Sequence, residues 1–216
     1  MLKNLYIIGA GGFGREVAWL VERINAVEPT WNLKGFVDDN VTYHGTYVGG
    51  YPVVGGCEYL INSAEETWIV CAIGAAHVRK QIVEKFEDCA HLKFATIVDP
   101  SVIHSERVEI GEGTVICAGA IATVDIIIGR HVIINWDCVV GHDAYISDFV
   151  TLYPSVNISG CVNVGECSEV GTGTQIIQGK RIGTGTIIGA GAVVIRDMPD
   201  KCKAVGSPAK PIGVLD

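Results

Sequence analysis

From His104 onward nearly every sixth position of the chain is apolar. The series runs His104, Ile110, Ile116, Ala122, Ile128, Ile134, Val140, Ile146, Leu152, Ile158, Val164, Val170, Ile176, Ile182, Ile188 and Val194. Sixteen positions keep this register, and fourteen of them are Ile, Val or Leu, too many for strands that share a period by accident. Glycine often follows the aliphatic residue, as at Gly111, Gly129, Gly141, Gly165, Gly171, Gly183 and Gly189. Small or β-branched residues recur four places after it, as at Thr114, Ala120, Val132, Cys138, Ala144, Val150, Thr174 and Ala192. A period of six fits neither a free α-helix nor a flat amphipathic strand. It fits a chain that turns a corner every six residues, so that three sides close one triangular coil. Such coils stack at a parallel-strand spacing of about 4.8 Å, with the aliphatic residue filling the prism and each coil touching only its neighbours. The glycine is expected beside the corner, where backbone freedom is useful. The pattern therefore predicts a parallel β-helix from about His104 to Val194 that projects no long loop, within a second domain of residues 96–216 that ends in a C-terminal tail.

Residues 1–95 have a different texture. Leu5-Tyr-Ile-Ile is a short apolar strand that runs into Gly9-Ala-Gly11-Gly-Phe-Gly14, a strict G-x-G-x-x-G. Arg15 to about Ala26 reads as a helix whose apolar face is Val17, Ala18, Leu20, Val21 and Ile24. A second strand, Leu33 to Val37, ends at Asp38-Asp39. Trp68 to Gly74 is a third strand, and a helix follows from about Ala76 to Phe86. This alternation predicts an α/β, Rossmann-like βαβ domain with a parallel sheet. The glycine loop lets backbone approach a phosphate at the positive end of a helix, and Asp38 and Asp39 stand where a ribose or base edge could be read. A dinucleotide fold needs two mononucleotide halves. Only about one precedes the repeats, so a single nucleotide is the expected ligand.

Composition narrows the choices. A formal net charge of −8 and the lack of a basic run argue against nucleic acid. The opening Met1-Leu-Lys-Asn-Leu-Tyr-Ile-Ile is too short and strand-like for a signal peptide, and no apolar stretch approaches a membrane span. The eight cysteines form no Cys-x-x-Cys pair, and several fall in small-residue slots of the repeat. They read as core filler in a reducing cytoplasm rather than as a metal or disulfide framework.

The ordered motifs Ile8-Gly-Ala-Gly-Gly-Phe-Gly-Arg-Glu-Val17, Gly35-Phe-Val-Asp-Asp39, Ala72-Ile-Gly74, Asn135 to Asp143, Gly189-Ala-Gly-Ala-Val193 and Val205-Gly-Ser-Pro-Ala-Lys210 cover nearly the whole chain. In this order the chain resembles the hexapeptide-repeat acyltransferases typified by sialic-acid O-acetyltransferases and nucleotide-sugar N-acetyltransferases of the UDP-4-amino-sugar type. The resemblance implies a left-handed β-helix, acetyl-CoA as co-substrate without a metal, and a homotrimer with active sites between prisms. It implies His142 as catalytic base and Asp143 as the acid that raises its proton affinity. It implies nucleotide-sugar contacts at Gly11, Gly12, Phe13, Asp38, Asp39 and Gly74. The acetyl-CoA groove would run past Gly160, Asn163, Thr172 and Ala190 toward the Gly206-Ser-Pro-Ala-Lys210 tail. Some relatives carry a second histidine nine residues after the base; here that position is Thr151, which puts substrate preference in doubt more than the reaction.

The chemistry suits these residues. Acetyl transfer from a thioester requires the acceptor to lose a proton, and imidazole titrates near neutral pH. His142 lies two residues after Val140, at a corner rather than in the core, and only a corner conformation would let Asp143 reach its ring. Direct attack on acetyl-CoA needs no covalent intermediate. The other histidines have blander expectations: His104 as a partly exposed cap, His131 as a surface residue, and His44, His77 and His91 without a partner pattern. The expected function is acetylation of the amine of a nucleotide-linked 4-amino-deoxysugar in bacterial surface glycan or glycoprotein sugar biosynthesis. The alternatives are sialic acid O-acetylation, a γ-carbonic-anhydrase-like metalloenzyme and a non-catalytic nucleotide-sugar binder. For the metalloenzyme, His104, His131 and His142 do not superpose on successive turns.

Overall fold

The computed structural model describes residues 2–215. Its first part contains β1 (Lys3–Ile8), α1 (Gly12–Val27), β2 (Trp31–Val37), β3 (Tyr47–Val48), β4 (Tyr51–Gly55), α2 (Cys57–Ile61), β5 (Thr67–Cys71), α3 (Ala76–Glu84) and β6 (Leu92–Phe94). The strands form one sheet in the order β3-β4-β2-β1-β5-β6, parallel except for the β3–β4 hairpin. Alternate residues of β1 enter different cores. Leu5 and Ile7 pack with Val17, Leu20 and Val21 of α1, whereas Tyr6 and Ile8 pack with Leu60 of α2 and Val83 and Phe86 beyond them. That two-sided burial is why the strand reads as a continuous apolar run. The 3-10 turn Val41–Tyr43, β3, β4 and α2 have no counterpart in the sequence reading. They are two to five residues long, and Pro52 interrupts the apolar pattern of β4.

The second part is the left-handed β-helix. Its first face carries Ile97–Val98, Val115–Ile116, Ile133–Ile134, Thr151–Leu152, Glu169–Val170, Ile187–Ile188 and Cys202–Val205. The second face runs from Ile103–His104 to Val193–Val194, and the third from Val108–Ile110 to Arg181–Ile182. Stacked partners such as Ile116 and Ile134 are one coil apart in sequence. From Ile116 to Val194 every hexad position is buried, while Ile110 is half-buried and His104 is exposed at the open first coil. The stack begins one strand before His104, at Ile97–Val98. After Ile188 the register contracts, since Ile188 pairs with Ala204. The strand Lys210–Val214 then folds back antiparallel on Cys202–Val205.

The corners correct one expectation. The glycines that follow the aliphatic residue do not have positive φ. They are small because the next coil passes close by: a Cβ on Gly141 would lie 2.7 Å from Gly160 N, and one on Gly171 would lie 2.6 Å from Ala190 N. The left-handed conformation falls two residues later, at Asp125, His131, Asp137, Asp143, Ser155 and their equivalents, with φ of 54° to 60° at the non-glycine corners from Asp125 to Cys167. Asp and Asn-like side chains tolerate that region better than most.

The two parts are locked together. Ile97, Val115 and Ile133 point outward from the first face into the core shared with α1. Arg79 of α3 is fully buried. It donates to the carbonyls of Ile73 (2.7 Å) and Gly74 (3.0 Å) on one side, and to those of His131 (2.9 Å), Phe149 (2.7 Å) and Val150 (3.1 Å) on the other. Burial pulls its pKa down to about 10. Arg23 of α1 pairs with the buried Asp99 carboxylate at 2.5 Å. No helix among the described residues is long and apolar enough to cross a membrane.

Candidate functional site

The glycine loop contains two kinds of glycine. Gly9 has φ +100°, and a Cβ on Gly14 would collide with the Gly9 carbonyl, so the fold itself requires both. Gly11 and Gly12 have no such reason. A Cβ on Gly11 would meet nothing within 4 Å, and one on Gly12 would meet only Arg15 Nη2 at 4.0 Å. Gly11 caps α1 without a side-chain hydrogen bond, which leaves the first N–H groups of the helix without a capping side chain, an arrangement that suits an anion. Asp38 braces this loop: its Oδ2 accepts from Ala10 N at 2.8 Å and its Oδ1 from Asn40 N at 2.9 Å. Asp39 turns the other way. Its carboxylate accepts from Cys57 N at 2.8 Å and from Lys85 Nζ at 2.9 Å. The Cys57 N–H first, and then Lys85, hold its pKa down to about 2.

Phe13, Gly12 and Gly74 line a cavity of about 300 Å³ between the two parts of the molecule, closed on the β-helix side by Ile133, Asn135, Trp136, Thr151, Tyr153 and Pro154, with Glu16 at its edge. Trp136 Nε1 donates to Glu16 Oε2 at 3.1 Å, and its ring lies 5.3 Å from that of Trp19. Thr151 is fully buried, and its hydroxyl donates to the Gly74 carbonyl at 2.7 Å. Tyr153 donates to Glu169 Oε2 at 2.8 Å, while Glu169 Oε1 accepts from Ala76 N at 3.0 Å. Burial, with Glu169 beside it, pushes the Tyr153 phenol up to about 12. A wider depression of about 640 Å³ between β6 and the corner residues Glu112 and Arg130 contains none of the candidate residues. Size alone therefore does not mark the site.

His142 and Asp143 occupy the corner between the second and third faces. Asp143 has φ +58°, which curls its side chain back to the neighbouring ring, and His142 Nδ1 lies 2.7 Å from Asp143 Oδ2. With Nδ1–H donated to the carboxylate, Nε2 carries the free lone pair. The imidazole rests over Gly160 of the next coil, where a Cβ would stand 2.5 Å from Nε2. Both side chains are about half exposed, 52% and 60%, so a substrate can reach the ring.

Other expected residues fall differently. Gly160 and Asn163 lie along the His142 corner and the third face, whereas Thr172 and Ala190 are stacked at the corner between the first and second faces. Within one chain they form no single groove. The Gly12–Gly74 cavity opens at that same first corner, one side of the prism away from His142. His131 is not a surface residue. It is fully buried, stacked on Phe149 at 5.1 Å and edge-on to Phe94 at 4.5 Å. Neither ring nitrogen has a partner among the described residues. The cause is the covering domain, which seals the first face at this corner. Burial pushes the His131 pKa down to about 3. With His131 sealed and His104 exposed on the second face, the three histidines do not converge on a γ-carbonic-anhydrase type of metal site. His44 and His91 contact the Asp38 and Leu60 carbonyls at 2.7 and 3.0 Å, and His77 contacts Gln81 at 3.1 Å. Nothing in the spacing along the chain marks Arg79, Asn135, Trp136 and Tyr153 as cavity or junction residues. The usable signal was the outward apolar residue at Ile97, Val115 and Ile133, which marks a covered face.

Residues 4–86 match the PglD N-terminal domain family. The UDP-N-acetylbacillosamine N-acetyltransferase of Bacillus subtilis (strain 168) is 41% identical over 121 residues, a stretch that spans 54% of this chain and 52% of that protein. A histidine-to-asparagine variant of perosamine N-acetyltransferase from Caulobacter crescentus, solved with CoA and GDP-perosamine, superposes with a TM-score of 0.86 at 34% identity, covering 99% of this chain and 98% of that one. The acetyltransferase domain of PglB from Neisseria gonorrhoeae FA1090, solved with acetyl coenzyme A, gives 0.89 at 32% identity over 98% and 100% of the two chains.

Proposed function

The chain belongs to the nucleotide-sugar N-acetyltransferases, acetyl-CoA-dependent enzymes, and on that premise we propose that it acetylates the amine of a nucleotide-linked 4-amino-deoxysugar with His142 as general base. The observation that carries this reading is the 2.7 Å contact of His142 Nδ1 with Asp143, which leaves Nε2 open toward solvent. The acceptor amine attacks the thioester carbonyl while its proton passes to Nε2. The tetrahedral intermediate collapses, the C–S bond breaks, and the CoA thiolate takes a proton from the imidazolium. Asp143 fixes the tautomer and stabilises the imidazolium.

Residues 1–95 hold the nucleotide sugar and residues 96–216 hold acetyl-CoA. The open N-terminus of α1 at Gly11 and Gly12 receives a phosphate. Phe13 and Gly74 wall the sugar side, and Asp38 and Asp39 keep the loop and α2 in place beside the base. The active enzyme is a homotrimer. His142 with Gly160 and Asn163, and the cavity with Thr172 and Ala190, lie on two different corners of one prism, so a complete site forms where two prisms meet.

The test is acetyl-CoA consumption against UDP-, dTDP- and GDP-linked 4-amino-sugars, with CMP-sialic acid and free sialic acid as controls. Turnover is expected with an amino sugar nucleotide, and turnover confined to sialic acid would overturn the acceptor class. His142→Ala is expected to lose about 10²–10⁴-fold in rate; an unchanged rate would remove His142 from the mechanism.

A further inference from the structure

One coil beneath the His142 corner, the ladder that pairs Val139 with Asn157 puts Cys161 directly under Asp143. Both residues take the left-handed corner conformation, with φ of +59° and +58°, so their side chains leave the prism in the same direction. The Cys161 N–H donates to the His142 carbonyl at 2.8 Å, which fixes the two corners against each other. One ligating atom from each of His142, Asp143 and Cys161 lies within 4.8 Å of the other two.

Imidazole, carboxylate and thiol together are a donor set for a borderline-soft divalent cation. The stacked coils hold the three backbones in place, and small side-chain rotations would bring the donors to about 2.0–2.3 Å from one ion, leaving a fourth position to water. We propose that His142, Asp143 and Cys161 form a binding site for a zinc-class cation, and that its occupation shuts down acetyl transfer. On binding, the Cys161 thiol releases its proton to solvent and sulfur donates as thiolate. An ion on Nε2 takes the lone pair directly. An ion on Nδ1 leaves the remaining ring proton on Nε2. In either case the imidazole no longer accepts a proton from the acceptor amine. The inhibition rests on His142 as base, whereas the binding does not.

The two can be read separately. Chelator-treated full-length protein is titrated with Co²⁺ without substrates, and the near-ultraviolet thiolate-to-cobalt charge-transfer band reports sulfur ligation. The band is expected at one equivalent in the wild type and in Cys167→Ser, and is expected to vanish in Cys161→Ser. Zn²⁺ is then titrated into the transfer reaction, each protein being normalised to its own rate in chelator. The half-inhibitory concentration is expected to rise in Cys161→Ser by at least the roughly 10–100-fold that loss of a mere supporting partner of a metal ligand costs. A wild type without the band, a band that survives in Cys161→Ser, or zinc inhibition that is present and equally strong in the two proteins overturns the site. A Cys161-dependent band with transfer untouched by zinc would keep the site and overturn His142 as base.

Discussion

Gly160 and His142 show how a residue one coil away sets the geometry of a reacting group. The ring occupies the space that a Cβ on Gly160 would fill, 2.5 Å from Nε2. Gly160→Val is expected to tilt the imidazole and lower kcat/KM by roughly 10²-fold, while thermal melting moves little because the half-exposed imidazole that covers Gly160 can swing out toward solvent. Steady-state kinetics beside a melting curve checks both halves. His131 carries a different burden. Its pKa is about 3 when folded against about 6.5 unfolded. Above pH 6.5 both states are neutral and the residue contributes nothing to pH dependence. As pH falls below 6.5 the unfolded chain gains a proton that the folded one refuses until about pH 3, so stability drops across that window by about 1.4 kcal/mol per pH unit. At pH 5 the loss is about 2 kcal/mol. His131→Phe is expected to remove this loss when urea unfolding at pH 7.5 and pH 5 is compared. Phe149 already occupies an equivalent corner with φ +59°, so the replacement suits the backbone.

At the scale of elements, the hexad identifies sides and the interior, but not what the outside touches. Every hexad position from Ile116 to Val194 is readable from the period, because a side chain inside the prism is sealed from water and packs among mostly aliphatic neighbours. Outward positions carry a weaker signature: apolar residues there mark the covered face at Ile97, Val115 and Ile133, yet the outward Ile127 is exposed. Thr151 reads as an ordinary strand residue, yet it is fully buried and bonds the Gly74 carbonyl across the domain junction. Arg79 reads as one more charge on a helix, yet it serves five carbonyls drawn from the β5–α3 loop and from two successive coils. Arg79→Met would strand those acceptors in a dry junction. It is expected to cost about 3 kcal/mol or more in a denaturation experiment. It is also expected to raise KM for the sugar nucleotide more than KM for acetyl-CoA, since Gly74 lines the cavity and Arg79 holds its carbonyl.

At the scale of the whole molecule, a base and a cavity on different corners of one prism call for a partner prism. Complementation tests this. His142→Ala removes the base. Gly11→Asp puts a negative charge where a phosphate would bind, at a position with room for the side chain. Each variant alone is expected to be nearly inactive. If base and loop come from different protomers, co-expressed mixtures regain about a quarter of the wild-type sites. If both come from one protomer, mixing restores none, and light scattering separately reports whether the particle is a trimer. The sequence by itself determined the period, the prism interior, the glycine loop and the adjacency of His142 and Asp143. These are local facts, carried by spacing along the chain or by the conformational needs of a few neighbouring residues. Only the tertiary structure decided that His131 is sealed, that Arg79 and Thr151 staple the two parts together, and that Cys161 stands under Asp143. Those outcomes depend on which surface the first domain covers and on coil stacking at the corners, where residues far apart in sequence become neighbours.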